Sequence, residues 1–440
     1  MLQEQDIGIQ IKCQQFESKD YTRDLEGKRS VILFESKQDS RKVKCPHCGG
    51  RVYEDGTTTK HLRDMPIWVG IEQELAFLCH RYECLECGRK FTEDIPLRYP
   101  GTRITERAAN WVKSLLYNKS SIRSIQKVTG IHWETIRRIH EEMMSQTLEE
   151  HTRELIARDY HPHYLAVDEF AIHKGHTYAT CVMDLESGEV LWVGSGRSME
   201  DFRRFFSEVE PSFLAEIKAV AMDMNASYHK VVQEMLPGVP IVYDRYHMQA
   251  QYGKDVLGAV RLEEARRHKA RSVALVQDAG CADPEQKQAV QAEIRQEKAA
   301  YRQIKKLRWT LLTNGEKLGD ERRQHLQEIL RNHSDLAVYY AMKEEMCRLF
   351  LLRDPVAARE RWNAWFAAAR QSNIPALVRF ADLKMQRIEG LIAHAAFPIS
   401  TGKLEGFNNK IKVAKRIAYG FRNDSYFFSL VRTLSLPNFP

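Results

Sequence analysis

The chain has 440 residues, room for roughly two to four domains, and 43% of them are hydrophobic, which excludes a disordered polymer. Lys and Arg outnumber Asp and Glu by 66 to 59, a net charge of +7 that suits a polyanionic partner without requiring one. No apolar run of about 18 residues and no signal-peptide start are visible, so the sequence predicts no membrane span and a cytoplasmic address.

Residues 1–44 carry two β-like runs, DIGIQIKC and RSVILFES, with the turn-like DLEGK between them. CPHCGG follows at Cys45–Gly50, and CLECGRKF begins at Cys84. Two C-x2-C knuckles, each followed by Gly, form a zinc-ribbon signature: paired thiolates can face one ion while Gly lets backbone N–H groups turn toward the sulfurs. Cys45, Cys48, Cys84 and Cys87 are therefore the expected Zn²⁺ ligands. Four thiolates leave no open position, so this zinc is structural. The interval Gly49–Glu83 has room for a hairpin, and Cys79 reads as a core thiol. Five of the nine Cys lie between Cys45 and Cys87, which argues for a metal in a reducing compartment rather than a disulfide framework.

From Ile104 the apolar spacing becomes helical. Thr105–Tyr117 forms one helix, and SSIRSIQKVTGIHWETIRRIHEEMM gives a second, a turn at Gly130, and a third beginning near Trp133. This is helix-turn-helix spacing, with Arg137, Arg138 and His140 placed to meet DNA. An ordinary helical hairpin is the plainer alternative.

The stretch from Tyr164 to His247 changes period again. Leu165–Ile172, Tyr178–Asp184 and Val190–Val193 read as three meandering strands, with a turn signal at Glu186-Ser187-Gly188. Helix-like SMEDFRRFFSEV, a strand ending on Asp223, helix-like ASYHKVVQEML and the strand PIVYD ending on Asp244 complete it. That order is the order of an RNase H-like α/β core. Residues 248–396 then turn rich in Ala, Arg, Glu, Gln, Lys and Leu and read as an all-helical insertion. Asp283-Pro284 and Asp354-Pro355 serve as cap plus first helical residue, and Trp309, Tyr339, Tyr340, Trp362, Trp365 and Phe366 form its core. A last helix runs from about Lys403 to Ile417, with Glu405 in its first turn and Lys410, Lys412, Lys415 and Arg416 on its basic surface, a candidate DNA face.

Phosphodiester chemistry needs a nucleophilic and a leaving oxygen held in line and the developing charge neutralised; two divalent ions bridged by carboxylates accomplish both. Mg²⁺ keeps several waters, so two or three carboxylates suffice. Asp168, Asp223 and Glu405 meet that requirement in the fold just described. Glu169 alternates to the opposite face of its strand, and Asp184 suits a turn. Asp244 ends a strand as Asp223 does and remains its rival. His173 and His176 flank the first hairpin and are expected at the surface or facing DNA.

The ordered set of two-knuckle ribbon, helix-turn-helix, VDEFAIHKGHTYAT, AMDM, YDRYH, helical insertion and KLEGFNNKIKVAKRIAYGFRN resembles the DDE transposases of bacterial insertion sequences, of the ISL-three type. The resemblance covers nearly the whole chain. It implies an RNase H-like catalytic core interrupted by an all-α insertion, with the metal-binding triad on Asp168, Asp223 and Glu405 and Mg²⁺ or Mn²⁺ as cofactor. YDRYH resembles the D/C-x-x-H motif of related eukaryotic transposases, which makes Asp244 and His247 near-site residues. The expected organisation is a β-rich zinc-ribbon domain (1–100), a helix-turn-helix domain (101–158), the catalytic core (159–250 and 397–440) and the insertion (251–396). The expected partners are double-stranded DNA, as terminal inverted repeats and target, and further copies of the chain in a dimer or larger assembly at the nucleoid. A zinc-ribbon and helix-turn-helix regulator with a non-catalytic core is the alternative.

Overall fold

The computed structural model describes residues 11–436 apart from 12, 69, 174, 176 and 279–283 and 419. The run DIGIQIKC falls largely outside them, as do His176 and the cap residue Asp283. The chain divides into two compact units, Met1–Glu154 with Ser425–Pro440, and Leu155–Asp424.

The first unit begins with a five-stranded sheet: β1 (Phe16–Asp24), β2 (Arg29–Ser36), β3 (Val52–Asp64), β4 (Glu72–Cys84) and β5 (Lys90–Thr92), in the order β1-β2-β4-β3 with β5 on β4. RSVILFES is β2, as its alternating apolar residues require. Its partner is FESKDYTRD, a highly charged run that the apolar pattern does not flag. It becomes a strand because the turn at Leu25–Lys28 brings it antiparallel to β2. The hairpin expected between the knuckles is β3–β4. Phe34 stacks on Phe77 at 5.0 Å and Phe16 meets the same ring edge-on at 5.1 Å, over buried Ile32, Leu62 and Leu75.

Three helices follow in the first unit: α1 (Glu106–Tyr117), α2 (Ile122–Thr129) and α3 (Trp133–Ala157). Thr105 caps α1 through its side-chain oxygen and also donates its hydroxyl to buried Asp64 at 2.5 Å, which ties the helices to β3. Ser121 caps α2, and Gly130 at φ +67° ends it, a left-handed position that a side chain would strain. Ala108, Ala109, Val112, Ile125, Ile136 and Ile139 close a three-helix core.

The second unit is built on β6 (Tyr164–His173), β7 (Thr177–Asp184), β8 (Val190–Ser195), β9 (Ala219–Met222) and β10 (Ile241–Tyr243), in the order β10-β9-β6-β7-β8. β7 is antiparallel to β6 and β8, whereas β9 and β10 run parallel to β6. The parallel crossovers are α4 (Met199–Glu208), closed by a Ser198–Asp201 capping box, and α5 (Ala226–Met235).

After α6 (Arg245–Tyr252) the chain is helical through α7 (Gly258–Asp278), α8 (Pro284–Lys306), α9 (Arg308–Leu312), α10 (Asp320–Asn332), α11 (Ser334–Leu349), α12 (Pro355–Gln371), α13 (Pro375–Met385) and α14 (Ile388–Ala396). Its apolar residues do not form a separate core: Tyr339, Trp362, Trp365 and Phe366 belong to one cluster with Val167, Val220 and Tyr243 of the sheet. Trp309 departs from the expected core, being 72% exposed with the Arg308 guanidinium over its ring. Five residues suffice for only a short helix, which turns that indole outward. The chain returns as α15 (Gly402–Ile417) and ends in α16 (Asp424–Ser435). From Ser425 onward the residues group with the first unit rather than with the core expected over 397–440. The Tyr426 hydroxyl meets His140 Nδ1 at 2.7 Å there.

Candidate active site

The carboxylates singled out in the sequence come from four elements that meet toward the C-terminal ends of the second unit's parallel strands. Asp168 lies mid-strand in β6; Asp223 and Asp244 are the first residues beyond β9 and β10, and Glu405 is in the first turn of α15. Parallel β6, β9 and β10 send their C-terminal ends to the same side, where an open α/β sheet leaves a crevice.

Helix α15 is aimed at β6. Asn408, one turn after Glu405 on the same face, donates Nδ2–H to Asp168 Oδ2 at 2.9 Å, and Lys415 donates to the Ala171 carbonyl at 2.6 Å. Lys403 donates to the Leu185 carbonyl at 2.5 Å. Asn408 escaped the sequence reading, although its i+3 spacing from Glu405 was available there. The Asn408 Oδ1 atom is buried and has no hydrogen-bond partner among the described residues.

The rivals for the second acid differ in what holds them. Asp244 is buried: Oδ1 accepts the Tyr246 and His247 N–H groups at 2.7 and 3.2 Å, and Oδ2 accepts Thr401 N–H at 2.9 Å. It caps α6 and pins the start of α15. Asp223 accepts only the local Asn225 N–H, at 2.9 Å, among the hydrogen bonds of the described residues, and keeps an oxygen for other work. Lys384, buried on α13, lies close enough to feel the Asp223 charge, though burial still lowers its pKa.

Burial pushes the Asp168 carboxyl up to about 6; the Glu169 N–H and the His247 charge oppose the rise, and the Asp223 charge adds to it. Burial likewise raises Glu405, reinforced by Asp244 and opposed by His247 and Lys412. His247 Nε2 lies 3.4 Å from Glu405 Oε1 and is a buried atom without a hydrogen-bond partner among the described residues. A site that raises its acids and leaves polar atoms facing inward fits a cation. Asp244, His247 and Glu405 also form a group of metal-ligand spacing. The three N–H groups already on Asp244 make it the weakest donor of that group.

Glu169 points away, toward Arg197 at 3.1 Å. Asp184 is a turn residue, accepting the Ser187 hydroxyl at 2.5 Å and the Glu186 N–H at 3.0 Å. His173 is 3.4 Å from Asp424.

In the first unit, Cys45, Cys48, Cys84 and Cys87 converge. Sγ–Sγ separations are 3.7 Å for Cys45–Cys87 and 3.5 Å for Cys48–Cys84. A tetrahedral ion with bonds of about 2.3 Å requires about 3.8 Å, so the thiols fit zinc. Gly49 and Gly88 take φ of +75° and +65°, which turns each knuckle and returns its N–H to the Cys45 or Cys84 carbonyl. Backbone N–H groups of Cys87 and Glu86 lower the Cys84 thiol to about 6. Cys79 is a core thiol that burial raises to about 11.

The residues expected to meet DNA divide. Lys410, Lys412 and Arg416 are exposed, and Arg137 is half-buried over the Trp133 ring, with Glu141 at 3.4 Å. Arg138 donates to the Pro100 and Gly101 carbonyls at 2.9 and 3.0 Å and pairs with Glu142. His140 is turned in on Tyr426, and burial lowers it to about 4, which leaves it neutral at neutral pH. Its helical spacing from Ile136 and Ile139 puts it beside the core rather than on the outer face.

A family profile described as a transposase matches residues 165–431. The chain is 34% identical over 403 residues to the transposase of insertion sequence element IS1001 of Bordetella parapertussis, covering 90% of this chain and 89% of that one. It is 27% identical over 273 residues to the transposase of IS1557 of Mycobacterium tuberculosis, covering 60% and 58%.

Proposed function

This chain belongs to the ISL-three type family of insertion-sequence DDE transposases and is a DNA transposase; we propose that its second unit is an RNase H-like core whose catalytic acids are Asp168, Asp223 and Glu405. The strand order β8-β7-β6-β9-β10, with only β7 reversed, supports the fold assignment. The observation that carries the site is the link between its elements: the face of α15 that bears Glu405 is bonded to Asp168 through Asn408, and Asp223 lies near enough for its charge to add to the burial that raises Asp168.

Mg²⁺ or Mn²⁺ held by these three carboxylates would supply Lewis-acid neutralisation of charge on the phosphodiester oxygens. The chain's own residues prepare that site. Asn408 orients Asp168, Asp244 fixes the start of the Glu405 helix, and His247 faces Glu405 as a near-site residue. Water and then a DNA 3′-hydroxyl serve as nucleophiles, so no nucleophilic side chain is required. In the first unit we assign structural Zn²⁺ to Cys45, Cys48, Cys84 and Cys87 and DNA binding to the ribbon and α1–α3.

The partner is double-stranded DNA, first the terminal inverted repeats and then the target, at the nucleoid. Exposed Lys410, Lys412 and Arg416, with Arg137, are the favoured phosphate contacts; Arg138 and Lys415 donate to backbone carbonyls and His140 faces Tyr426. Binding falls steeply with salt on this reading. Joining two element ends calls for a dimer or larger assembly on DNA.

The test is cleavage of a labelled duplex carrying the element's end, with Mg²⁺ or Mn²⁺, by wild type and Glu405→Ala. We expect a nick at the repeat boundary from wild type, and from Glu405→Ala binding without cleavage. Cleavage by the variant at the wild-type rate would remove Glu405 from the triad. Binding without cleavage by both would favour the regulator.

A further inference from the structure

Helices α7, α8 and the α10–α11 junction bring together a second group of metal-ligating side chains, in the helical insertion and separate from the acids described above. Glu264 and His268 lie one turn apart on α7, Glu297 is on α8, and His333 sits between α10 and α11. Glu264, His268 and His333 form a group with metal-ligand spacing, their donor atoms within 4.8 Å of one another. Glu264 Oε1 is 3.0 Å from His333 Nδ1 and 3.7 Å from His268 Nε2. A tetrahedral ion with bonds of about 2.0–2.1 Å separates its ligands by about 3.3–3.4 Å, between those two values.

The hydrogen bonds around the group assign its atoms. His268 Nδ1 lies 2.6 Å from Glu297 Oε2, the carboxylate–histidine pairing that fixes a ligand's tautomer and directs its other nitrogen at the ion. Nε2 of His268 is buried and without a hydrogen-bond partner among the described residues. With the proton on Nδ1, this nitrogen presents a bare lone pair toward the Glu264 carboxylate, an arrangement that a cation between them relieves. The outer carboxylate oxygens are already held: Arg267 is 3.3 Å from Glu264 Oε2, and Arg271 is 3.4 Å from Glu297 Oε1. Facing inward are Glu264 Oε1, His268 Nε2 and His333 Nδ1; the last shares a 3.0 Å hydrogen bond with Glu264 Oε1 that an ion between them would replace, and the two imidazoles meet edge-to-face at 5.3 Å.

We propose that Glu264, His268 and His333 bind a Zn²⁺-class divalent ion, with Glu297 as the positioning residue for His268. Two imidazoles and one carboxylate select a borderline transition metal over Mg²⁺, which takes oxygen ligands. The ion joins α7 to a junction about 65 residues later in the chain, and Glu297 brings in α8, so it staples three segments of the insertion. Its fourth position is open to water.

The test uses the full chain purified without chelator. Wild type is expected to hold about two zinc equivalents per chain and Cys48→Ser/Cys87→Ser about one. His268→Ala and His333→Ala should each lose one while keeping the other. In the Cys48→Ser/Cys87→Ser variant, Co²⁺ substitution should give ligand-field bands without thiolate charge transfer. Glu297→Gln, which keeps an acceptor for the His268 N–H, should weaken this second equivalent by about 10–100-fold and leave the first alone. A wild type with about one equivalent that disappears in the cysteine variant would overturn the proposal, as would a second equivalent unaffected by His268→Ala. Should the alanine variants misfold, the cobalt spectrum of the cysteine variant carrying Asp168→Asn and Glu405→Gln decides, since those replacements remove the other divalent-ion site: thiolate-free bands support the site, and their absence refutes it.

Discussion

Replacing Asp244 by Asn separates positioning from metal binding at the proposed active site. The amide retains one oxygen to cap α6, and Asn caps about as well as Asp. The other oxygen becomes an NH2 group that cannot accept the Thr401 N–H now bonded at 2.9 Å beside a residue that is fully buried. A buried N–H left unpaired costs about 1–3 kcal/mol, so Asp244→Asn should lower stability by about 2 kcal/mol, roughly a thirtyfold change in the folded-to-unfolded ratio. Asp244→Ala also loses the cap, and should cost about 1 kcal/mol more. Asp223→Asn disturbs only a local turn bond and should change stability by less than about 0.5 kcal/mol while abolishing cleavage. Urea titration followed by circular dichroism measures the first quantity and the labelled-duplex assay the second. An unchanged urea midpoint with complete loss of cleavage for Asp244→Asn would identify Asp244 as a metal ligand and reverse the assignment. So would retained cleavage by Asp223→Asn.

Asn408→Ala removes the donor that orients Asp168, a charge-assisted bond worth about 1.5–3 kcal/mol, so cleavage should fall about 10–100-fold with DNA affinity intact; an unchanged rate would refute this. His140 is held near 4 against an ordinary 6.5, so the unfolded chain takes up a proton that the folded one refuses. The first unit's stability is therefore fully present above about pH 6.5 and declines toward pH 4, by up to about 3 kcal/mol. His140→Asn should flatten that slope, and an unaltered pH profile in thermal melts would count against it. Zinc removal by a chelator, or Cys84→Ser, should lower the melting temperature of the first unit and abolish specific DNA binding; unchanged melting would exclude a structural ion.

What the sequence determined by itself was whatever its local periods encode. Apolar runs in VDEFAIH and VLWV, helical spacing after Ile104, and turn or cap chemistry at Glu186-Ser187-Gly188, Gly130 and Asp354-Pro355 gave the core strands and helices within a few residues. The two C-x2-C knuckles carried their ligands in their spacing, and the order of motifs carried the family. β1 was not legible, because an exposed charged strand has no apolar alternation and exists through its pairing with β2. Only the tertiary structure gave Asp244 and Asp223 different partners: both follow apolar strands, and the Thr401 N–H that Asp244 accepts lies 157 residues away. His140 and Arg138 had the charge and placement of DNA contacts, and distant partners engaged both: Tyr426 turned His140 inward, and the Pro100 and Gly101 carbonyls hold the exposed Arg138 against the protein. The Glu264–His268–His333 group was beyond reach for the same reason. A metal-ligand cluster drawn from segments far apart has no spacing to read until packing brings its members together.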